Sequence, residues 1–213
     1  MKILKINLEK ITEEQIDLIT KYFQAGKIVA YPTDTVYGLG CLAFHKKALQ
    51  KIYQIKNITA TKPLLVLMKD KELLKQYCEI SSKQENYLTK IWYNKDIKHK
   101  PTTIIFDIKK ILTKKLDYNY PSLAVRIVNN FNPKNNLPEI TFLSKILVRV
   151  NKPIISTSLN ITGKPTLDNL KNIENYFSNI KPDLVIDTGN IDRKKASKII
   201  DLRDIENIKI IRE

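Results

Sequence analysis

The chain has 213 residues, 43% of them hydrophobic, and a formal net charge of +15 at pH 7. This length and apolar content suit one domain over residues 1–213 with a single core, and they leave too few residues for a second full domain. Two cysteines and two histidines are present, which excludes a disulfide framework and disfavours a metal site built from side chains.

The amino terminus and the charge pattern bear on location and partners. Residues 1–6 are too short and too charged for a signal peptide, and no apolar run reaches 18 residues, so we expect a cytoplasmic protein without membrane contact. The lysines are spread along the whole chain among many Asn and Ile residues. This spread is compatible with an acidic partner such as RNA and equally with AT-rich coding, and the charge alone does not choose between them.

The first predicted elements are a helix and a buried strand. Residues 12–15 have the pattern of a capping box, and the apolar residues that follow form one stripe that stops at Gly26. We therefore expect a helix packed on the next strand, a β-branched run that begins near Lys27 and breaks at Pro32. Side chains at the carboxyl end of such a strand can face a ligand.

Most of the remaining chain alternates between predicted helices and strands. The helices fall at 46–56, 71–78, 81–92, 137–150 and 167–177, and the strands at 63–68, 102–106, 123–128, 153–156, 184–187, 198–202 and 208–212. This alternation predicts an α/β fold with helices on the faces of a sheet. An Asn- and Pro-rich surface loop is expected at 129–138.

The region after the first strand has the composition of an anion site. The 35 residues from Thr35 to Lys69 contain no acidic residue, whereas six lysines fall among them, namely Lys46, Lys47, Lys51, Lys56, Lys62 and Lys69. Such a one-signed stretch behind a strand end indicates an anion, with phosphate favoured. No P-loop string is present. Residues 38–43 fit the dinucleotide-binding pattern only loosely, because they do not follow the strand directly and no acidic residue follows about 20 positions later. Side chains must therefore hold any nucleotide phosphate.

Three polar groups elsewhere each allow a structural and a functional interpretation. Residues 156–163 follow a strand and offer neutral donors and acceptors, which suits either a ligand site or an Asx or Ser/Thr turn. Arg126 lies within an apolar strand, where it needs an anion, supplied either by a ligand or by an internal salt bridge. Residues 195–198 form either a phosphate-facing turn or a polar loop.

Taken in order along the chain, these segments resemble the YrdC-type threonylcarbamoyl-AMP synthases. The matching segments cover nearly the whole chain and lie at 31–40, 56–68, 101–103, 123–126, 156–163, 196–197 and the terminal Ile-Ile-Arg that ends at Arg212. The resemblance implies a twisted mixed β-sheet with flanking helices that enclose a basic cavity. It also implies a nucleotidyltransferase that makes L-threonylcarbamoyladenylate and pyrophosphate from L-threonine, bicarbonate and ATP. The product would supply the tRNA threonylcarbamoyl transferase machinery, which modifies the adenosine beside the anticodon.

The resemblance further implies roles for individual residues. The ATP-binding residues would be Lys56, Lys62, Thr103, Ser158, Asn160 and Arg212, the threonine-binding residues Thr33, Arg126 and Ser197, and the catalytic cations Lys56, Lys62 and Arg126. A carbamate formed from threonine would attack the α-phosphate, and fixed cations would stabilise the developing charge. Mg²⁺ would travel on the triphosphate, since few carboxylates lie near the motifs. Contact with tRNA or double-stranded RNA is left open.

The chain also departs from the family pattern. Ile58 stands where the family has the arginine of a Lys-x-Arg pair, so a phosphate-facing guanidinium is missing, and the family's Pro-Gly-Pro is replaced at residues 99–101. Ala196 stands where the family has the proline of a Pro-Ser pair. A YciO-like paralogue without synthase activity is the nearest alternative, because that branch also departs at the Lys-x-Arg position. A basic RNA-binding module without catalysis is the alternative from another class, and it predicts an affinity that falls steeply with salt.

Overall fold

The computed structural model describes residues 1–58, 64–92, 101–116, 120–128, 138–177, 180–191 and 197–213, without the side chains of 114–116. Within these ranges the strands are β1 (Lys2–Lys5), β2 (Val29–Pro32), β3 (Tyr37–Leu42), β4 (Leu65–Met68), β5 (Thr102–Asp107), β6 (Ser122–Ile127), β7 (Ile154–Ser158), β8 (Leu184–Asp187), β9 (Lys198–Asp201) and β10 (Lys209–Arg212). The α-helices there are α1 (Glu13–Gln24), α2 (Lys46–Lys56), α3 (Lys71–Tyr77), α4 (Ser82–Trp92), α5 (Lys110–Leu116), α6 (Pro138–Val150) and α7 (Ile173–Tyr176), and a 3₁₀ helix spans Leu8–Lys10.

The strands form one mixed sheet in the order β1-β8-β2-β3-β7-β4-β6-β5-β9-β10. The pairs β1/β8, β2/β8, β4/β6 and β5/β9 are parallel, and the pairs β2/β3, β3/β7, β4/β7, β5/β6 and β9/β10 are antiparallel. The predicted α/β fold with a mixed sheet and flanking helices is confirmed. The basic character of the predicted cavity and the single domain over 1–213 stay predictions.

Helices cover both faces of the sheet. On one face, α1 and α6 bury apolar side chains such as Phe23 and Leu143 against the sheet. On the other face, α2, α3 and α4 bury side chains such as Ile52 and Leu74. Successive residues of β2 contribute alternately to the two cores, as the pleat of a central strand requires.

The beginning and end of α1 follow from local chemistry. The Thr12 hydroxyl accepts a hydrogen bond from the Gln15 amide, and the Gln15 side chain accepts one from the Thr12 amide, so the predicted capping box is confirmed. The helix stops before Gly26, whose φ of 68° lies in the left-handed region. The Phe23 ring meets the Tyr31 ring edge-on at 5.9 Å, which confirms that the helix packs on the following strand.

The sequence did not predict β3, because Gly38 and Gly40 are poor strand residues. A Cβ at Gly40 would lie 2.3 Å from the backbone oxygen of Ile155 in β7. The glycine is therefore required by the close approach of the neighbouring strand, and it does not mark a loop.

Three other elements differ from the prediction. The short edge strand β1 and the helix α5 were not predicted, and the helix predicted at 167–177 is wrong except for α7. Leu170, Ile173 and Phe177 are buried, but the polar residues Asp168 and Asn169, which precede them, favour turns. The remaining described strands and helices agree with prediction within two residues at each end.

Several predicted features fall outside the described residues. These are Lys62, Lys195, Ala196, residues 99–100 and most of the loop expected at 129–138. None of the helices in the described part of the chain is long and apolar enough to cross a lipid bilayer.

Candidate functional site

A cavity of about 520 Å³ is lined by the turn after β2 and by residues of β3, β4, β6, β7, β9 and β10. Its described wall combines apolar side chains of β4 and α6 with hydroxyl groups from residues 33–35 and from β7. The guanidinium-bearing residues Arg126 and Arg212 also line it. An apolar wall with a few convergent polar groups is typical of a small-molecule site.

Five of the predicted site residues line this cavity, namely Thr33, Arg126, Ser158, Ser197 and Arg212. Of the others, Lys56, Thr103 and Asn160 are not part of the described wall. The fold therefore brings together residues from 33 to 212, and the ligand that each of them contacts stays a prediction.

The Thr33 hydroxyl shapes the turn between β2 and β3. It donates to the Val36 carbonyl oxygen at 2.5 Å and accepts hydrogen bonds from the amides of Thr35 and Val36, both at 3.2 Å. This turn places the Thr35 side chain on the cavity wall. The Thr33 hydroxyl thus fixes the conformation of the turn that forms this part of the cavity wall.

Arg126 forms a buried ion pair at the cavity. Its Nη2 donates to Oδ2 of Asp34, and the side chains are 12% and 3% exposed respectively. The internal salt bridge that one interpretation of Arg126 required is therefore present, and Arg126 lines the cavity as well. Sequence reasoning missed Asp34, although it is an acidic residue at a strand end next to an acid-poor stretch, where the buried arginine needed a partner.

Lys56, at the end of α2, is 5% exposed. Its ammonium donates to the carbonyl oxygen of Ser158 at 2.8 Å, to that of Asn160 at 3.1 Å and to Asn160 Oδ1 at 2.9 Å. Burial lowers the pKa of Lys56 from 10.5 to about 8. These three bonds use all three donors of the ammonium group. Lys56 therefore holds Ser158, which lies on the cavity wall, without lining the cavity itself.

The segment after β7 is a tight polar turn. The Ser158 hydroxyl donates to Asn160 Oδ1 at 2.7 Å, and Asn160 Nδ2 donates to the Lys164 carbonyl oxygen at 2.6 Å. The turn interpretation is confirmed for residues 159–163, whereas residues 156–158 are the end of β7, and Ser158 lies on the cavity wall.

A chain of hydrogen bonds leads from the core to Arg212. Thr103, which is completely buried, shares a hydrogen bond of 2.9 Å with the Ser197 hydroxyl. Arg212 donates to the Ser197 carbonyl oxygen from Nε at 2.9 Å and from Nη2 at 2.7 Å. Thr103 thus lies behind Ser197 and outside the cavity wall. Its hydrogen bond helps to position Ser197, which accepts the hydrogen bonds of Arg212.

The chemistry of this wall is that of binding and charge stabilisation. Among the described residues no group of three or more His, Cys, Asp or Glu is placed to hold a metal ion. Cys41 and Cys78 are buried away from the wall, and burial raises the pKa of both thiols to about 12. The described wall therefore offers hydroxyl groups and guanidinium groups and no thiolate.

Comparison with known proteins relates the sequence and the fold of this chain to those of named relatives. The Sua5/YciO/YrdC family model, described as telomere recombination, matches residues 21–213. A threonylcarbamoyl-AMP synthase of Pyrococcus abyssi is 27% identical over 92% of this chain, and the match covers 53% of that protein. A threonylcarbamoyl-AMP synthase of Haemophilus ducreyi is 28% identical over 86% of this chain and 92% of its own length. The chain thus spans about half the length of the P. abyssi relative.

Solved structures give the same picture of the fold. The structure of P. abyssi Sua5 complexed with L-threonine matches with a TM-score of 0.75 and 27% identity over 95% of this chain and 54% of that one. Escherichia coli YciO matches with a TM-score of 0.77 over the whole of this chain and 96% of that one. At 21% identity, the YciO match bears on the fold alone.

Proposed function

Because the chain belongs to the Sua5/YciO/YrdC family, we propose that it is an L-threonylcarbamoyladenylate synthase. It would form threonylcarbamoyl-AMP and pyrophosphate from L-threonine, bicarbonate and ATP, with Mg²⁺ entering as part of the ATP substrate. The observation that carries the proposal is the convergence of Thr33, Arg126, Ser158, Ser197 and Arg212 on one cavity of about 520 Å³. The relatives named threonylcarbamoyl-AMP synthase support it, and so does the relative complexed with L-threonine.

The proposed reaction needs positioning and charge stabilisation more than covalent catalysis. The threonine amine and bicarbonate give a carbamate and water, and a carbamate oxygen then attacks the α-phosphate while pyrophosphate leaves. Negative charge develops on the phosphate oxygens, and fixed guanidinium donors stabilise it without reorganising. Arg212 supplies such donors from the described wall, and Lys62 would add an ammonium. Arg126 and Thr35 would orient threonine.

The carbamate oxygen formed on threonine must reach the α-phosphate of ATP, so the amino acid and the nucleotide must lie side by side in one cavity. Lys56 contributes indirectly in this proposal, because its three hydrogen bonds hold the turn that carries Ser158 and Asn160. The product would pass to the tRNA-modification machinery of the cytoplasm. Contact of this chain with tRNA or double-stranded RNA would be an additional property.

The test is pyrophosphate release by the purified chain with ATP, L-threonine and bicarbonate, with each substrate omitted in turn. We expect release to require all three. Arg212→Gln should lower the rate by about tenfold to a hundredfold, because one to two charge-assisted contacts are lost. Arg203→Gln is the matched control, since Arg203 is 43% exposed and pairs with Asp201 away from the cavity wall.

Two results would argue for the alternatives. Pyrophosphate release that ignores threonine, or a silent wild-type chain, would favour the YciO-like paralogue, for which Ile58 in place of the family arginine is the specific observation. Tight RNA binding that falls steeply with salt, without any ATP turnover, would favour the RNA-binding module.

A further inference from the structure

Two guanidinium groups line the same cavity in opposite electrostatic states. Arg126 is paired with the carboxylate of Asp34. In contrast, the hydrogen bonds that Arg212 makes to described residues go to neutral oxygens, the carbonyl and hydroxyl oxygens of Ser197. Arg126 lies on β6 and Arg212 on β10, with β5 and β9 between them in the sheet. Within the described part of the chain, one end of the cavity therefore carries an arginine with a counter-charge and the other an arginine without one.

Asp34 compensates Arg126 through a single contact. Its Oδ2 accepts from Arg126, whereas its Oδ1 is buried and has no hydrogen-bond partner among the described residues. A buried carboxylate oxygen without a partner is unfavourable. Within the described residues, the Asp34 carboxylate therefore makes its one hydrogen-bonded contact with the Arg126 guanidinium.

This compensation changes what Arg126 can bind. The Asp34–Arg126 pair has no net charge, so it offers the remaining N–H donors of a planar fork without a surplus of positive charge. Those donors match the carboxylate of an amino acid, whose ammonium group is favoured by the nearby Asp34 charge. A polyphosphate, in contrast, gains no net electrostatic attraction from this neutral pair, whereas Arg212 offers it a guanidinium without an acidic partner among the described residues.

Resting on the proposed function, we propose that Asp34 is a specificity-determining residue that assigns the two ends of the cavity. By cancelling the charge of Arg126, it makes that end selective for a zwitterionic amino acid and directs polyanions toward Arg212. Asp34 acts through Arg126 and is in this sense a positioning residue.

The test measures two ligands by calorimetry, L-threonine as the zwitterion and pyrophosphate as the polyanion. In Asp34→Asn we expect the affinity for L-threonine to fall by about tenfold or more, because the carboxylate that favours its ammonium group is lost. The affinity for pyrophosphate should rise by about threefold or more, because Arg126 is released from its counter-charge. Asp17→Asn is the matched control, since it makes the same change of net charge on α1, where the Asp17 side chain is 58% exposed. The control should leave both affinities unchanged.

The double variant Asp34→Asn/Arg126→Gln identifies the source of the effect. We expect the gain in pyrophosphate affinity to disappear, because it depends on the released guanidinium. A gain that persists in the double variant would overturn the proposal. So would equal losses for both ligands in Asp34→Asn, which indicate a salt bridge that only supports the fold.

Failure of this inference is distinguishable from failure of the proposed function. A wild-type chain that makes the adenylate, combined with an Asp34→Asn variant that shows no opposite change of the two affinities, overturns the inference alone. If Asp34→Asn does not fold, Arg126→Lys provides the test, because it keeps the charge of the pair but removes the planar fork. We then expect L-threonine to bind about tenfold more weakly and pyrophosphate to bind as before. Unchanged L-threonine affinity would overturn the proposal.

Discussion

Replacing Lys56 by Met should change the pH dependence of stability in a way that reports directly on its burial. Met has a similar length but removes the ammonium and its hydrogen bonds to Ser158 and Asn160. Because the folded protein lowers the pKa of Lys56 from 10.5 to about 8, the folded and unfolded states bind different numbers of protons in a defined pH window.

The sign and size of the effect follow from linkage. Below pH 8 both states hold the Lys56 proton, whereas between pH 8 and 10.5 the folded state has lost it and the unfolded state keeps it. The unfolded state then binds more protons, so the contribution of Lys56 to the free energy of unfolding rises with pH across this window. At about 1.4 kcal/mol per pH unit, the gain between pH 7.5 and 9.5 amounts to roughly 2 kcal/mol.

The assay is urea unfolding of wild type and Lys56→Met at pH 7.5 and 9.5. We expect the variant to be less stable than wild type by about 2 kcal/mol more at pH 9.5 than at pH 7.5. Lys51→Met, an exposed lysine on the same helix, controls for the loss of one positive charge. Since the Ser158 turn loses its support, Lys56→Met should also weaken ATP binding by about tenfold to a hundredfold.

A constant difference between wild type and Lys56→Met at the two pH values would refute the reasoning. It would mean that the Lys56 ammonium is not desolvated by the fold. ATP affinity equal to that of wild type in a folded Lys56→Met protein would separately refute the support role of the lysine.

Two further predictions concern a central glycine and the missing arginine. Gly40→Ala should destabilise the fold by roughly 3 kcal/mol in urea unfolding, because its Cβ would lie 2.3 Å from the Ile155 oxygen. Gly163→Ala is the comparison: its added Cβ would meet no described atom within 4 Å beyond its chain neighbours, and the φ of 85° alone should cost about 1 to 2 kcal/mol. A Gly40→Ala cost no larger than that of Gly163→Ala would contradict the prediction. Ile58→Arg should raise pyrophosphate release by up to about tenfold if one charge-assisted contact of roughly 1.4 kcal/mol is regained. Ile58 is half-buried, so the arginine can be accommodated, and an equal rise in Ile58→Gln would show that charge is not the cause.

The sequence predicted elements whose signals are local. The capping box at Thr12 and the apolar stripe of α1 lie within a few residues of each other, so the residues that determine this helix are all contained in its own segment. The strand β3 escaped prediction because the need for Gly40 arises from Ile155, which is more than a hundred positions away. The helix expected at 167–177 failed for a related reason, since spacing indicates burial without showing which backbone conformation achieves it.

The same limit applies to the site. The residue types at Thr33, Ser158 and Arg212 indicated a polar pocket, because each belongs to a segment at a strand end or in the last strand. Their convergence depends on the strand order β2-β3-β7-β4-β6-β5-β9-β10, which is a property of non-local pairing. The partner of Arg126 could have been Asp34 or a ligand, and only the folded chain shows that the carboxylate lies beside the guanidinium.

Thr103 has a consequence for the interpretation of sequence variants. It is wholly enclosed and does not reach the cavity, so a rule that ranks substitutions by distance from the ligand would class it with the hydrophobic core. Its hydroxyl nevertheless orients Ser197, and Ser197 in turn carries Arg212. Thr103→Val keeps the shape of the side chain and removes that hydroxyl. Although the variant looks conservative by volume, we expect it to change the use of the nucleotide while the stability of the protein stays nearly normal.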